Sequence, residues 1–451
     1  MSTIPNNHPQ TGWKKYEQIV FRVAFIYFII QVIPIDWKFY EQLFSVNWAR
    51  VYYGDIFNMA HYTPQFVAGG QSFANWGIAF LIALAGAAAW TTYFDRNKNK
   101  EYNTLYYWLR VILRYRLAIA VMAYGFIKFF PLQAPYPSIS NLNTNYGDFN
   151  RWKLFSLSLG IVPSYEAFLG AVEILLGLLL LYRKTASIAA FIIIVFAGNV
   201  FMSNIAYDGG EIVYSFFLIS LAFFILWFDL QRIISLLILQ KPTAPNYFKP
   251  SFLLPWQKNG RLILKGLFIL FFAGIYGFKT SPASQDGSYQ YPKTKGLPGI
   301  SGIYNVAGFV VNKDSIGYSK TDPKRWQDVV FEKWNTISIR SNRPVIIDST
   351  NVDRIYTDDE NRRYELEGSA GRHYYSYDAD TVNHVLTLHN RNKNYKDETL
   401  LLHYNRQNDS TIILSGINQD RDSIFTVLNR INRKYLLEVV ARQGRGKALK
   451  L

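Results

Sequence analysis

An ionisable side chain inside a membrane-length apolar run costs roughly 2.5 to 3.5 kcal/mol at the helix centre and is kept only where it is paired or useful. Such residues are therefore where this chain's chemistry is sought first. The run from Leu105 to Phe130 carries Arg110, Arg114, Arg116, Tyr124 and Lys128, the run from Tyr165 to Tyr182 carries Glu173, and the run from Thr185 to Ala206 carries Asn199. At about 1.5 Å per helical residue, Glu173 lies roughly 12 Å below the outer end of its run, Asn199 roughly 10 Å, Tyr124 roughly 9 Å and Lys128 roughly 3 Å. Those depths predict one outward-facing polar cluster. The partner of Glu173 is either Lys128 or Arg116, whose long stem gives it reach. Such a pair either locks the helices or binds and protonates a polar head group. On the second reading Glu173 and Lys128 are the catalytic pair, with Tyr124, Arg116 and Asn199 around them and Asp208 and Glu211 at the mouth.

The elements that must carry these residues follow from hydropathy. A membrane span takes about 20 mainly apolar residues. Seven stretches qualify: Gln18 to Ile35, Trp76 to Phe94, Leu105 to Phe130, Tyr165 to Tyr182, Thr185 to Ala206, Glu211 to Phe228, and Leu262 to Phe278. The first follows Lys14 and Lys15 and lacks a small-residue cleavage site, so it reads as an uncleaved anchor. Basic residues fall in alternate connections: Lys14 and Lys15; Arg96, Lys98 and Lys100; Arg183 and Lys184; Arg232, Lys241, Lys249, Lys258 and Arg261. The positive-inside rule makes that side cytoplasmic, which places the N-terminus inside and the tail outside, in the plasma (inner) membrane. The formal charge of +16 is then mostly topology, and nucleic acid is not an expected partner.

Of the 48 Lys and Arg residues 25 follow residue 284, as do 20 of the 32 acidic ones, so the tail belongs to a different solvent from the apolar first part. Residues 281 to 298 read as a linker, and beyond it short alternating runs predict a β-meander of eight or nine strands, a small barrel or sandwich able to fold as 299 to 451 alone. The run Tyr435 to Val440 is counted among those strands. The fold class is thus an all-α polytopic membrane bundle followed by a small all-β extracytoplasmic domain. Two outer connections are long. The aromatic-dense one, Pro34 to Asn75, is expected to lie in the headgroup layer, and Pro131 to Ser164 reads as a loop followed by an interfacial helix that could cover an outward site.

The third to sixth runs resemble the DoxX/DoxD-like membrane family over roughly residues 105 to 240. Arg116 followed by Gly125-Phe126-Ile127-Lys128-Phe129-Phe130 resembles that family's first-helix pattern of Arg, then Gly-x-x-Lys before a Pro-containing loop. Glu173, Gly177 and the basic Arg183-Lys184 before the next helix resemble its second. The resemblance implies a four-helix membrane core and, for members with an assigned role, a subunit of a quinone-linked thiosulfate dehydrogenase or a component of oxidative-stress systems; more distant relatives are non-enzymatic cargo receptors. This chain adds residues 1 to 104 with two spans, 241 to 280 with a connection and a seventh span, the linker, and the β-domain. Two functions are therefore expected, a quinone-linked oxidoreductase subunit or a non-catalytic receptor or assembly factor whose β-domain binds a protein or lipid. The chain has no cysteine, so disulfides, thiolate metal sites and thiol redox chemistry are excluded, and redox work needs a bound cofactor or a partner. His373, His384, His389 and His403 in the tail raise a metal site, but His384 and His389 are five apart and fall on opposite faces of a strand, so they read as ordinary strand histidines. Gly302-Ile303-Tyr304 resembles the start of lipocalin-like barrels.

Overall fold

The computed structural model describes residues 13–67, 71–94, 102–243, 255–284, 287–349 and 354–443. Arg96, Lys98, Lys100 and Lys249, which enter the charge count above, lie outside them, and so does the Lys258 side chain. Contacts divide the chain into two compact units, one of Met1–Gly125, Val172–Ser203 and Glu211–Gly277, the other of Phe126–Ala171, Asn204–Gly210 and Phe278–Leu451.

Helices come first in the chain. They are α1 (Lys15–Val32), α2 (Trp37–Ser45), α3 (Tyr53–Ala60), α4 (Phe73–Ala89), α5 (Tyr102–Phe129), α6 (Ile139–Leu142), α7 (Arg151–Gly160), α8 (Pro163–Leu180), α9 (Ala186–Ala206), α10 (Ile212–Leu237), α11 (Pro255–Ile269) and α12 (Tyr276–Ala283), the last two joined through a π-helical stretch. Among the described residues, six segments are long and apolar enough to cross a membrane: Lys15–Ser45, Phe73–Tyr93, Pro163–Leu180, Ala186–Ala206, Ile212–Leu237 and Pro255–Ala283. At most 39% of each apolar window is buried. Large apolar side chains such as Leu81, Leu175, Val195 and Trp227 stay exposed, the inverse of a water-soluble bundle and the pattern of helices whose solvent is lipid.

Small residues set the packing. Ala79, Ala83 and Ala87 recur every four residues on the buried face of α4 and let α1 approach until Ile26 lies 3.0 Å from where a Gly86 Cβ would stand. A Cβ on Gly125 of α5 would meet the Ile174 backbone nitrogen of α8 at 2.9 Å, and one on Gly177 would meet Met122 at 2.4 Å. Both glycines belong to the spacing quoted above. Helix α5 differs from the six spans because it is the charged one: Arg110, Arg114 and Arg116 are all buried along its length. Arg110 donates to the Ile225 carbonyl at 3.4 Å and lies 3.6 Å over the Phe228 ring, while Arg114 donates to the Leu180 carbonyl at 2.9 Å. Their charges thus meet backbone oxygens, one at the end of α8 and one within α10, and an aromatic face, which offsets the burial cost.

The aromatic-dense first connection splits in two. Helix α2 buries no residue, as an interfacial segment would. Helix α3 instead turns into its unit, with Ile56, Phe57 and Ala60 buried, so that half of the connection packs against protein.

The second unit is built on strands β1 (Gly302–Val311), β2 (Asp314–Ser315), β3 (Trp326–Phe331), β4 (Thr336–Ser341), β5 (His373–Asp380), β6 (Val385–Asn390), β7 (Thr399–Arg406), β8 (Thr411–Ile417) and β9 (Ser423–Ile431). Apart from the two-residue β2, each strand pairs antiparallel with the next, and β1 pairs with β9, which closes an eight-stranded barrel. Period-two alternation sends Leu386 and Leu388, Leu400 and Leu402, Ile412 and Leu414 into the interior. In β1 the inward set changes parity from Tyr304 and Val306 to Phe309, because a bulge between Val306 and Gly308 inserts one residue.

Three expectations change here. Of Tyr435 to Val440, all but Tyr435 lies in a helix, α13 (Leu436–Gln443), rather than a strand: β1 and β9 already occupy each other's edges, so the barrel offers no further edge to pair. Residues 287–298 before the barrel pack against it, with Tyr289 and Tyr291 buried and Tyr291 donating to the Tyr136 carbonyl at 2.9 Å. The second outer connection belongs to the barrel's own unit. Glu332 accepts from the Ser140 backbone nitrogen (2.7 Å) and hydroxyl (2.6 Å), Asn141 donates to the Glu365 carbonyl (2.9 Å), and Lys153 of α7 donates to the Tyr364 carbonyl. Residues 299 to 451 by themselves therefore lack the cover of their own buried acids.

Candidate functional site

Helix α3 ends at His61, which takes a non-helical conformation immediately after Ala60. Both chain neighbours of His61 are tied down. The Tyr214 hydroxyl of α10 donates to the Ala60 carbonyl at 3.3 Å, and the Arg116 guanidinium of α5 donates to the Tyr62 carbonyl. The Tyr62 hydroxyl in turn donates to Asp36 at 2.9 Å, and burial holds its pKa above the ordinary tyrosine value. His61 thus hangs on a backbone fixed from two helices.

Its Nε2 lies 3.0 Å from Oε2 of Glu211, the residue that opens α10. A carboxylate there is favoured by the partial positive charge of the helix N-terminus. Tyr124 donates to the same Glu211 oxygen at 3.3 Å. Aromatic rings enclose the imidazole: Phe57 stacks at 5.8 Å with an interplanar angle of 8°, and Tyr214 and Tyr124 stand at 4.1 and 5.7 Å. The His61 and Glu211 side chains keep 15% and 18% of their surface, so the pair is neither sealed nor free in solvent. Two polar atoms beside it, Nη1 of Arg116 and Oε1 of Gln71, are buried without a hydrogen-bond partner among the described residues. Gln71 Nε2 is 3.5 Å from the His61 nitrogen, and Arg116 lies 5.5 Å over the Phe217 ring. A histidine and a carboxylate in contact, flanked by a phenol and open donor and acceptor groups, can pass a proton to or from an oxygen held between aromatic faces.

Of the residues singled out from the sequence, the structure brings Tyr124 and Glu211 together and puts Arg116 beside them as the anchor of the His61 backbone. Asn199 is exposed on α9. The buried face of that helix is Ala186, Ala189, Ala190, Ile193 and Ala197, and a step of two residues at about 100° each turns residue 199 to the opposite side. Asp208 sits in a tight turn at φ 56° and forms an exposed ion pair with Arg151 at 3.8 Å, a contact of little energetic weight. Glu173 is buried on α8 with its Cβ 3.1 Å from the position of a Gly125 Cβ. Lys128, half-buried at the end of α5, interacts electrostatically with Glu166, whose Oε1 accepts from the Ala134 backbone nitrogen at 3.0 Å. His61 was passed over in the sequence. An imidazole inside an aromatic-dense connection was its only local signal; that it meets Glu211, 150 residues on, is decided in space.

No family model matches the chain, and neither a curated protein nor a solved structure matches it.

Proposed function

We propose that this chain is a DoxX-like multi-pass membrane protein that binds a quinone-type head group at His61, Glu211 and Tyr124 and serves as the membrane subunit of a quinone-linked oxidoreductase. The hydrogen-bonded His61–Glu211 pair between aromatic rings carries the reading. A quinone becomes a quinol by taking two electrons and two protons. A partner subunit would supply the electrons, the His61–Glu211 pair would pass one proton to one ring oxygen, and water would pass the second to the other ring oxygen, to which Arg116 Nη1 would donate a hydrogen bond. Phe57 and Tyr214 supply faces for the ring. In this arrangement α5 is a seventh span: 28 residues at about 1.5 Å each reach about 42 Å, and its arginines are buried against protein rather than lipid. On this reading the chain has seven spans, and the positive-inside rule supports an N-terminus in the cytoplasm and a barrel outside the plasma membrane.

The test uses the purified full chain in lipid nanodiscs. Its extracted lipids are analysed for quinone, and a short-chain benzoquinone is titrated against tryptophan emission. His61→Ala and Glu211→Gln are each expected to weaken binding at least tenfold, the loss of one charge-assisted hydrogen bond, with helicity unchanged. Unaltered binding in both variants, or no saturable binding in the parent, would reject the quinone site and leave the receptor function as the alternative.

A further inference from the structure

The end of the barrel where β1 and β4 finish and β3, β5, β7 and β9 begin is open, with a cavity of about 400 Å³. Its wall is formed by inward side chains Phe309, Trp326, Ile339, Leu400 and Ile424, so the lower lining is apolar. The one strong charge pair in the wall is internally neutralised: Arg343 reaches both Glu398 oxygens, at 2.7 and 2.9 Å, and Tyr375 donates to Glu398 at 2.6 Å. At the rim Lys324 is outnumbered by Asp420 and Asp422, which disfavours an anionic guest.

His373 also lines this cavity. It is only 5% exposed, and its Nε2 is buried without a hydrogen-bond partner among the described residues. The Arg343 carbonyl takes the hydrogen bond of the ring, which makes Nδ1 the protonated nitrogen and leaves Nε2 an acceptor. Burial, helped by the Arg343 charge, pushes the imidazole down to about 4, so at neutral pH it is uncharged. A buried acceptor with no donor is costly, and a bound molecule that donates to it relieves that cost.

We infer that the barrel mouth is a binding site for a small, uncharged, mainly apolar molecule carrying one hydroxyl group, an alcohol or phenol, whose hydroxyl donates to His373 Nε2. The site lies in the other unit from His61, and no part of the argument uses the quinone reading.

The probes are 2-naphthol, naphthalene and 2-naphthoate, titrated into the detergent-solubilised full chain labelled with ¹⁵N-histidine. The His373 signal is identified by its loss in His373→Gln. We expect 2-naphthol to move the Nε2 resonance saturably and to bind about fivefold more tightly than naphthalene, the ratio given by one neutral hydrogen bond, with naphthoate weakest. Ser341→Trp, which fills the mouth, should abolish the response while leaving the His384 and His403 signals in place. An Nε2 resonance that 2-naphthol does not move in the parent chain, or that moves equally in Ser341→Trp, would overturn the assignment.

Discussion

Lys153 is the sharpest lever on the second unit. It is fully buried, its ammonium donates to the Tyr364 carbonyl and lies 3.4 Å over the Tyr364 ring, and burial pushes its pKa from 10.5 down to about 7, against the opposing pull of Glu367 and Glu365. The folded state therefore releases a proton that the unfolded chain keeps between pH 7 and 10.5. Stability then rises with pH across that window, and the contribution present above 10.5 is lost as pH falls to 7. At about 1.4 kcal/mol per unit, a shift from 10.5 to about 7 corresponds to about 5 kcal/mol in full, of which about 2 to 3 kcal/mol is traversed between pH 7 and 9, below the range where tyrosines ionise. Lys153→Met keeps the length of the side chain and removes the charge. Its cost is the donor to the Tyr364 carbonyl, about 1 to 3 kcal/mol. The variant is expected to lose that rise between pH 7 and 9, and at pH 6 to exceed the parent by about 2 kcal/mol. The assay is the urea midpoint of the barrel transition in the detergent-solubilised full chain, followed by the β-sheet signal at each pH. A variant as pH-dependent as the parent, or less stable at pH 6, would show that Lys153 is not the group whose burial is being titrated.

Four further outcomes are expected. Gly125→Ala should lower the thermal midpoint by the equivalent of about 1 to 3 kcal/mol, because its Cβ meets backbone, whereas Gly177→Ala should cost less because Met122 can turn aside. Gly416→Ala, whose Cβ would stand 1.9 Å from the Leu401 carbonyl oxygen, should disrupt the β7–β8 pairing, read as loss of β signal. A reporter fused after Leu451 should be active only outside the cytoplasm, and cytoplasmic activity would mean that α5 does not span. Residues 299 to 451 alone should aggregate, while co-expression with a 126–171 peptide should return soluble β signal; a monomeric, folded 299–451 would show that the buried acid Glu332 tolerates losing Ser140 and the Glu365 carbonyl tolerates losing Asn141.

Local pattern alone made much of this protein legible. The apolar runs are long and uninterrupted, so the six membrane-length segments stand out, and the period-two runs of the tail announce a meander before any contact is known. Helix α5 was also readable, although its arginines keep it apart from the other six, because Leu109, Leu113, Leu117 and Ala120 recur at helical spacing on a buried face. Pairing in space was not legible. That α3 turns inward is decided by hydrogen bonds from Arg116 to Tyr62, 54 residues away, and from Tyr214 to Ala60, 154 residues away. No local signal encodes either. The same holds for Glu211, whose histidine lies 150 residues upstream, and for Asn199, which rotation about the helix axis turns away from the buried face of α9. In the tail, the strand propensity of Tyr435 to Val440 was real, but closure of β1 on β9 left it no partner, and without a ladder the backbone satisfies its own groups as a helix. Hydropathy and periodicity are properties of neighbours in the chain and survive in the sequence. Burial of a charge, rotation of a helix and closure of a barrel are properties of neighbours in space, and only the folded chain fixes them.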